Sequence, residues 1–145
     1  MKSALLSWQF WAILSAAFAA LTAIFAKIGV AGVNSDFATF IRTIVILIAL
    51  AAILFATGQW QAPGSVSART YLFLVLSGLA TGGSWICYFR ALKIGEAARV
   101  APIDKMSVVL VAIFGVIFLG ERLSGPNWVG VALIAAGAVL VAYRG

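Results

Sequence analysis

The chain has 145 residues, of which 64% are hydrophobic and only 10% charged, with a mean hydropathy of +1.13. A soluble domain of this length could not cover that much apolar surface, so the lipid bilayer is the expected solvent and partner. The net charge of +6 does not indicate nucleic acid, because only Glu96 to Lys105 is charge-dense and membrane proteins collect Lys and Arg in cytoplasmic loops. With no histidine and a single cysteine, Cys87, neither a His/Cys metal site nor an intrachain disulfide is expected, and no cofactor is implied.

About 20 mainly apolar residues span a bilayer, and five segments qualify. The first, Trp8–Ala26, follows Lys2 and contains Ala17-Phe18-Ala19, a small-x-small pattern like that of a cleaved leader. Apolar character runs past it and further spans follow, so an uncleaved helix is the reading. Ala12, Ala16 and Ala20 make a small-residue ridge, and Ser15 and Thr22 a thin polar stripe. The second span, Phe37–Phe55, follows a break from Gly29 to Ser35. Ser35 is the expected N-cap, with Asp36 near the positive end of the helix dipole.

The third span, Tyr71–Phe89, follows Gly58 to Ser67 and carries Ser77, Thr81, Ser84, Trp85 and Tyr88 on one face. Hydroxyls interleaved with amphipathic aromatic rings suit the wall of a solute cavity, whereas hydroxyls alone also join packed helices. Gly78 and Gly82 form a GxxxG pair on the same helix. After Gly95 to Arg99 comes the fourth span, Val100–Leu119, which Pro102 starts or kinks. Gly120 to Gly125 leads to the fifth, Pro126–Tyr143, with Gly130 and Gly137 on one face and no charge between Trp128 and Tyr143. The expected fold is an all-α membrane protein, a bundle of five transmembrane helices forming one domain over residues 1–145.

Five spans put the termini on opposite sides. Lys2, Arg69 and Arg122 share one side, while Lys27, Arg42, Arg90, Lys93, Arg99, Lys105 and Arg144 lie on the other. The positive-inside rule therefore favours N-out, C-in. Trp8, Trp11, Trp60 and Trp128 cluster toward the outer side, as interfacial anchors do.

This topology gathers Asp36, Arg42, Arg90, Lys93, Asp104 and Lys105 near the cytoplasmic helix ends. Arg and Lys there can snorkel to the headgroups, but Asp is too short. Asp104 therefore needs water or a partner, for which Arg42 at matched depth and adjacent Lys105 are the candidates. The set Asp104, Lys105, Arg42 and Asp36 is either a structural ion-pair cluster or a gating and coupling device at the mouth of a pathway. Histidine, nucleophile elbow, P-loop and paired carboxylates are all absent from the sequence, and Ser107 after Asp104 lacks a third triad member, so an enzyme is not expected.

Tyr88-Phe-Arg-Ala-Leu-Lys-Ile-Gly95 and Ala97-Ala-Arg-Val-Ala-Pro102 resemble the junction of helices three and four in EamA-type repeats of the drug/metabolite transporter superfamily. Phe118-Leu-Gly-Glu-Arg-Leu123, Trp128-Val-Gly and Leu133-Ile-Ala-Ala-Gly137 resemble the closing pair of that repeat. Phe25-Ala-Lys27-Ile-Gly29 and Thr39-Phe-Ile-Arg42-Thr43 resemble the opening pair. The resemblance implies secondary transport of a small metabolite or drug by alternating access. Larger members join two repeats of opposite orientation, so a single repeat implies a homodimer or paired heterodimer.

Small multidrug-resistance relatives use an acid in helix one for proton coupling. This chain has none there, so their cation/proton antiport is not carried over. On this reading Ser77, Thr81, Trp85, Tyr88, Ser15 and Thr22 line the pathway. A subunit that flips lipid-linked sugars and a non-transporting companion of another membrane protein are the alternatives.

Overall fold

Long runs of Ala, Leu, Ile, Val and Phe in lipid leave the backbone only its own carbonyls as partners, and helix is the outcome. The computed structural model describes residues 7–143, so Lys2 and Arg144, counted in the charge bias, lie outside the described residues. Six α-helices follow in order: α1 Trp8–Gly29, α2 Ser35–Thr57, α3 Ala68–Ile94, α4 Ala97–Asp104, α5 Ser107–Phe118 and α6 Gly125–Ala142. A 3-10 turn, Pro63–Ser65, precedes α3. Helices α4 and α5 together make one membrane-length span, Ala97–Phe118, so five segments are long and apolar enough to cross a membrane. No strand occurs among the described residues.

Two local features differ from the sequence reading. Asn34, rather than Ser35, caps α2, its Oδ1 accepting from the N–H groups of Asp36 at 2.9 Å and Phe37 at 3.2 Å. The fourth span begins at Ala97 rather than Val100 and goes beyond a kink, being interrupted after Asp104. Pro102 sits inside α4 and has no N–H, and three residues later the pattern tightens: Met106 N–H bonds to Ile103 O at 2.9 Å and Val108 N–H to Lys105 O at 2.9 Å. Gly78, Gly82, Gly130 and Gly137 have open space among the described residues where a Cβ would stand.

Two glycines end helices in the left-handed region. At Gly58 (φ 64°) the N–H groups of Gly58 and Gln59 return to the carbonyls of Phe55 and Leu54, closing α2 in a Schellman turn. At Gly120 (φ 68°) the chain reverses so that both Leu119 and Glu121 donate to Gly115 O, each at 3.1 Å.

The chain divides into two compact units, Ala26–Lys93 and Met1–Phe25 with Ile94–Gly145. In the first, the more buried positions of α2 (Ser35, Thr39, Arg42, Ile46) and α3 (Thr81, Trp85, Tyr88, Phe89, Leu92) each recur every three or four residues. In the second, α6 packs on both α4 and α5. Small residues permit this: Ala97 and Ala101 on α4 and Ala135, Ala138 and Ala142 on α6 are among the more buried. At most 11% of the most apolar stretch of any span is buried, so the remaining Leu, Ile, Val and Phe surface is left for lipid or a partner.

Candidate functional site

In the first unit, α3 has 27 residues and is about 40 Å long, against about 30 Å of hydrocarbon. Its ends therefore reach past the apolar layer, and its last turns carry Arg90 and Lys93. Arg90 grips Asp36 at the start of α2 through two bonds, Nε to Oδ1 at 2.9 Å and Nη2 to Oδ2 at 2.6 Å. Lys93 Nζ donates to Val33 O at 2.6 Å, and Lys27 Nζ, in the last turn of α1, donates to Leu92 O at 2.7 Å. Carbonyls in loops and last helical turns lack helical partners, so each lysine satisfies one backbone acceptor while holding its helix end. This cluster fastens the end of α1, the first loop, the start of α2 and the end of α3.

Arg42 is different. It lies seven residues into α2, about 10 Å along the axis, and its guanidinium stands 4.0 Å from the centroid of the Trp85 ring and 5.5 Å from that of Phe89. Its Nη1 is buried and makes no hydrogen bond. Asp36 is the only carboxylate in this unit, and Arg90 holds it. A cation–π contact contributes about 0.5–2 kcal/mol. At the bilayer centre Arg costs from about 3 to well over 10 kcal/mol, and less near a helix end from which it can reach the headgroups. Trp85 and Phe89 offset part of that cost and leave Nη1 without an acceptor.

Of the polar residues read on helix three, Thr81, Trp85 and Tyr88 lie on the half-buried stripe, whereas Ser77 and Ser84 are exposed. The Thr81 hydroxyl donates to Ser77 O at 2.8 Å, Thr39 to Ser35 O at 2.9 Å and Thr43 to Thr39 O at 2.8 Å. These hydroxyl protons satisfy the helix internally and leave oxygen lone pairs to accept. Thr39 and Phe89, which the sequence reading did not assign to the pathway, belong to the same stripes. Their signal was present in the three-to-four-residue spacing from Arg42 and Trp85.

In the second unit, Asp104 is the last residue of α4, and Lys105 Nζ donates to its Oδ2 at 3.2 Å. Adjacent residues on a regular helix point away from one another; this pair forms where the helix is interrupted. The Asp104 side chain is 32% exposed and that of Lys105 54%. Asp104 thus takes the adjacent of its two candidate partners. Arg99 and Glu96 form a further ion pair at 3.1 Å. On α1, Ser15 is exposed and Thr22 half-buried.

Glu121, just past Gly120, folds back onto α5. A Cβ added at Gly115 would lie 2.5 Å from Glu121 Oε2, so the carboxylate occupies space that only glycine leaves open. The Gly-Glu pair at the end of this span is therefore one local device, in which the left-handed glycine aims the carboxylate at the helix it has just left.

The EamA-like transporter family model matches residues 6–143. A protein of Sinorhizobium sp described as "Uncharacterized transporter in cobO 3'region" is 72% identical over 136 residues, covering 94% of this chain and 96% of that protein. A Saccharomyces cerevisiae protein provisionally named a nucleotide-sugar transporter is 38% identical over 69 residues, 47% of this chain and 16% of its own length. An "Uncharacterized transporter" of Vibrio cholerae is 26% identical over 98 residues, 66% of this chain and 32% of its own. No solved structure matches the chain. With five apolar spans and a match along almost its whole length, the chain is a multi-pass membrane protein that belongs to the EamA-like transporter family.

Proposed function

We propose that this chain is one half of a secondary transporter of the bacterial inner membrane, oriented N-out, C-in, which moves a small metabolite or drug by alternating access between two copies or paired subunits. The observation that carries this reading is the stripe of Thr81, Trp85 and Tyr88 on α3 and Thr39 and Arg42 on α2, polar and aromatic side chains on the more buried faces of otherwise apolar helices. An ionisable group kept within a membrane span together with amphipathic rings is a recurrent mark of solute paths, whereas hydroxyls alone also serve packing. The interruption beside Asp104 and Lys105 gives α4 and α5 a natural hinge, which suits a gate.

The paired assembly rests on the single repeat, since larger members of the family join two repeats of opposite orientation. In the basic cluster that a lipid-headgroup alternative would use, Lys27 and Lys93 each give one donor to a backbone carbonyl. The test is solute flux in proteoliposomes containing purified protein, screened over small metabolites and drugs. Flux of a defined solute class, slowed or altered in pH dependence by Asp104→Asn, is the expected result. No flux for any solute, with a stoichiometric companion protein on purification, would support the companion role instead. Reporters fused to each terminus decide orientation: a fixed single orientation excludes an antiparallel homodimer.

A further inference from the structure

We propose that Arg42, seated on the ring of Trp85, recognises the oxyanion of the transported solute, a carboxylate or a phosphate. The inference rests on the transporter reading and gives its substrate a charge.

The seat of the guanidinium carries the argument. Arg42 Cζ stands over the Trp85 ring, 4.0 Å from its centroid, a contact that draws on the cation's charge but takes up no N–H. Nη1 of the same group is buried and has no acceptor. A charged donor withdrawn from water requires an acceptor, and the acceptor that matches a guanidinium edge is a planar carboxylate or a phosphate.

The acceptor is not supplied by this unit. Asp36 is its only carboxylate, and Arg90 binds both of its oxygens. The other cations near the α3 C-terminal end are matched with oxygen: Arg90 with Asp36, Lys93 with Val33 O and Lys27 with Leu92 O. Arg42 is set apart from them in both position and partner. It sits on the buried stripe of α2 with aromatic rings where they have oxygens.

The surroundings favour an anion over a neutral ligand. Thr39 and Thr43, one turn before and one residue after Arg42, already donate their hydroxyl protons to helix carbonyls. They offer lone pairs, which suit a hydroxyl or ammonium elsewhere on a solute and do not compete for its oxyanion. Trp85 and Phe89 shield the guanidinium from water, which strengthens its attraction for negative charge. An organic cation gains nothing from such a site and is repelled by it.

The experiment uses the full chain in nanodiscs of zwitterionic phosphatidylcholine. Benzoate and inorganic phosphate are the probes, with benzamide as the uncharged counterpart of benzoate. Binding is read by tryptophan fluorescence and by the shift in unfolding temperature. Saturable binding of benzoate or phosphate, absent for benzamide, is expected. Arg42→Gln should weaken it about ten- to a hundredfold, as expected for the loss of a charge-assisted bond. Arg42→Lys, which keeps the charge without the planar fork, should fall between and controls for folding.

A parallel arm replaces part of the phosphatidylcholine with phosphatidylglycerol. Arg42-dependent stabilisation by that lipid, with none by the free probes, would keep the oxyanion site but assign it to a headgroup. Failure of every probe and of the lipid to bind the unmodified protein overturns the proposal, as does equal binding by Arg42→Gln. Measured flux of neutral or cationic solutes untouched by Arg42→Gln would remove the anionic class while leaving the transporter reading intact. Arg42-dependent binding without flux would do the reverse.

Discussion

Arg90 and Asp36 lie 54 residues apart in sequence yet form a two-pronged pair, which ties the last turns of α3 to the first turn of α2. Both side chains are largely open to the surroundings, with Arg90 62% and Asp36 44% exposed. What the pair supplies is registry between two helices, and its worth depends on the parallel geometry that only a guanidinium offers. Arg90→Lys should therefore lower the unfolding temperature nearly as much as Arg90→Gln. In a thermal double-mutant cycle, Asp36→Asn with Arg90→Gln should fall clearly short of the sum of the single losses. Strict additivity would show the two side chains to be energetically independent.

Gly115 and Glu121 make a second pair that can be tested by coupling. An alanine in a helix interior is about 0.5–1 kcal/mol better than glycine. At position 115 that methyl would stand where Glu121 Oε2 now lies, although the side chain can swing away. Gly115→Ala should thus stabilise an Glu121→Ala background by about that amount. In the unmodified chain the gain should shrink or reverse. Thermal unfolding of the four proteins in one detergent checks this, and the same gain in both backgrounds would show that the carboxylate does not occupy the site.

Much of the fold was legible because hydropathy is read over whole windows. The spans at Trp8–Ala26, Phe37–Phe55, Tyr71–Phe89 and Pro126–Tyr143 all lie within or nearly within observed helices. Ends and partners were less legible. Asn34 and Ser35 are both good caps, and only the local backbone decides which oxygen faces the free N–H groups. Pro102 was visible as a start or a kink, but its position inside α4 depends on the helix beginning at Ala97. Arg42 was one of two candidate partners for Asp104, because charge and depth are what a sequence displays. The preference of a guanidinium for the face of Trp85, one helix away, depends on rotation about two helix axes, which the sequence does not print.

The two left-handed glycines should be the least replaceable turn positions. A side chain at φ near +60° costs about 1–2 kcal/mol, so Gly58→Ala and Gly120→Ala should each destabilise by about that amount. Gly125, at the open start of α6 with no atom near its missing Cβ, provides the contrast. Gly125→Ala should be close to neutral. Of the two, Gly120→Ala carries the further expectation of disturbing Glu121, since the reversal at Gly120 returns that residue to Gly115 O. It should therefore weaken the coupling between positions 115 and 121, whereas Gly58→Ala should leave it unchanged.

Pro102 offers the sharpest separation of stability from motion. Its ring denies Ala98 O the N–H that residue 102 would otherwise donate, and the helix tightens and breaks within the next turn, beside Asp104 and Lys105. Pro102→Ala restores both the donor and the room for a regular helix. It should raise the unfolding temperature, by on the order of 1 kcal/mol of stability, since only part of the roughly 3 kcal/mol proline penalty is recovered in a helix already bent around it. If the interruption is the hinge of a gate, the same change should slow solute flux severalfold while substrate affinity holds. A stabilised protein with unchanged flux would separate the break from transport and leave it a packing accommodation between α4, α5 and α6. A destabilised protein would show instead that α6 is fitted to the bent form, so that straightening the span forfeits the contacts of Ala97 and Ala101.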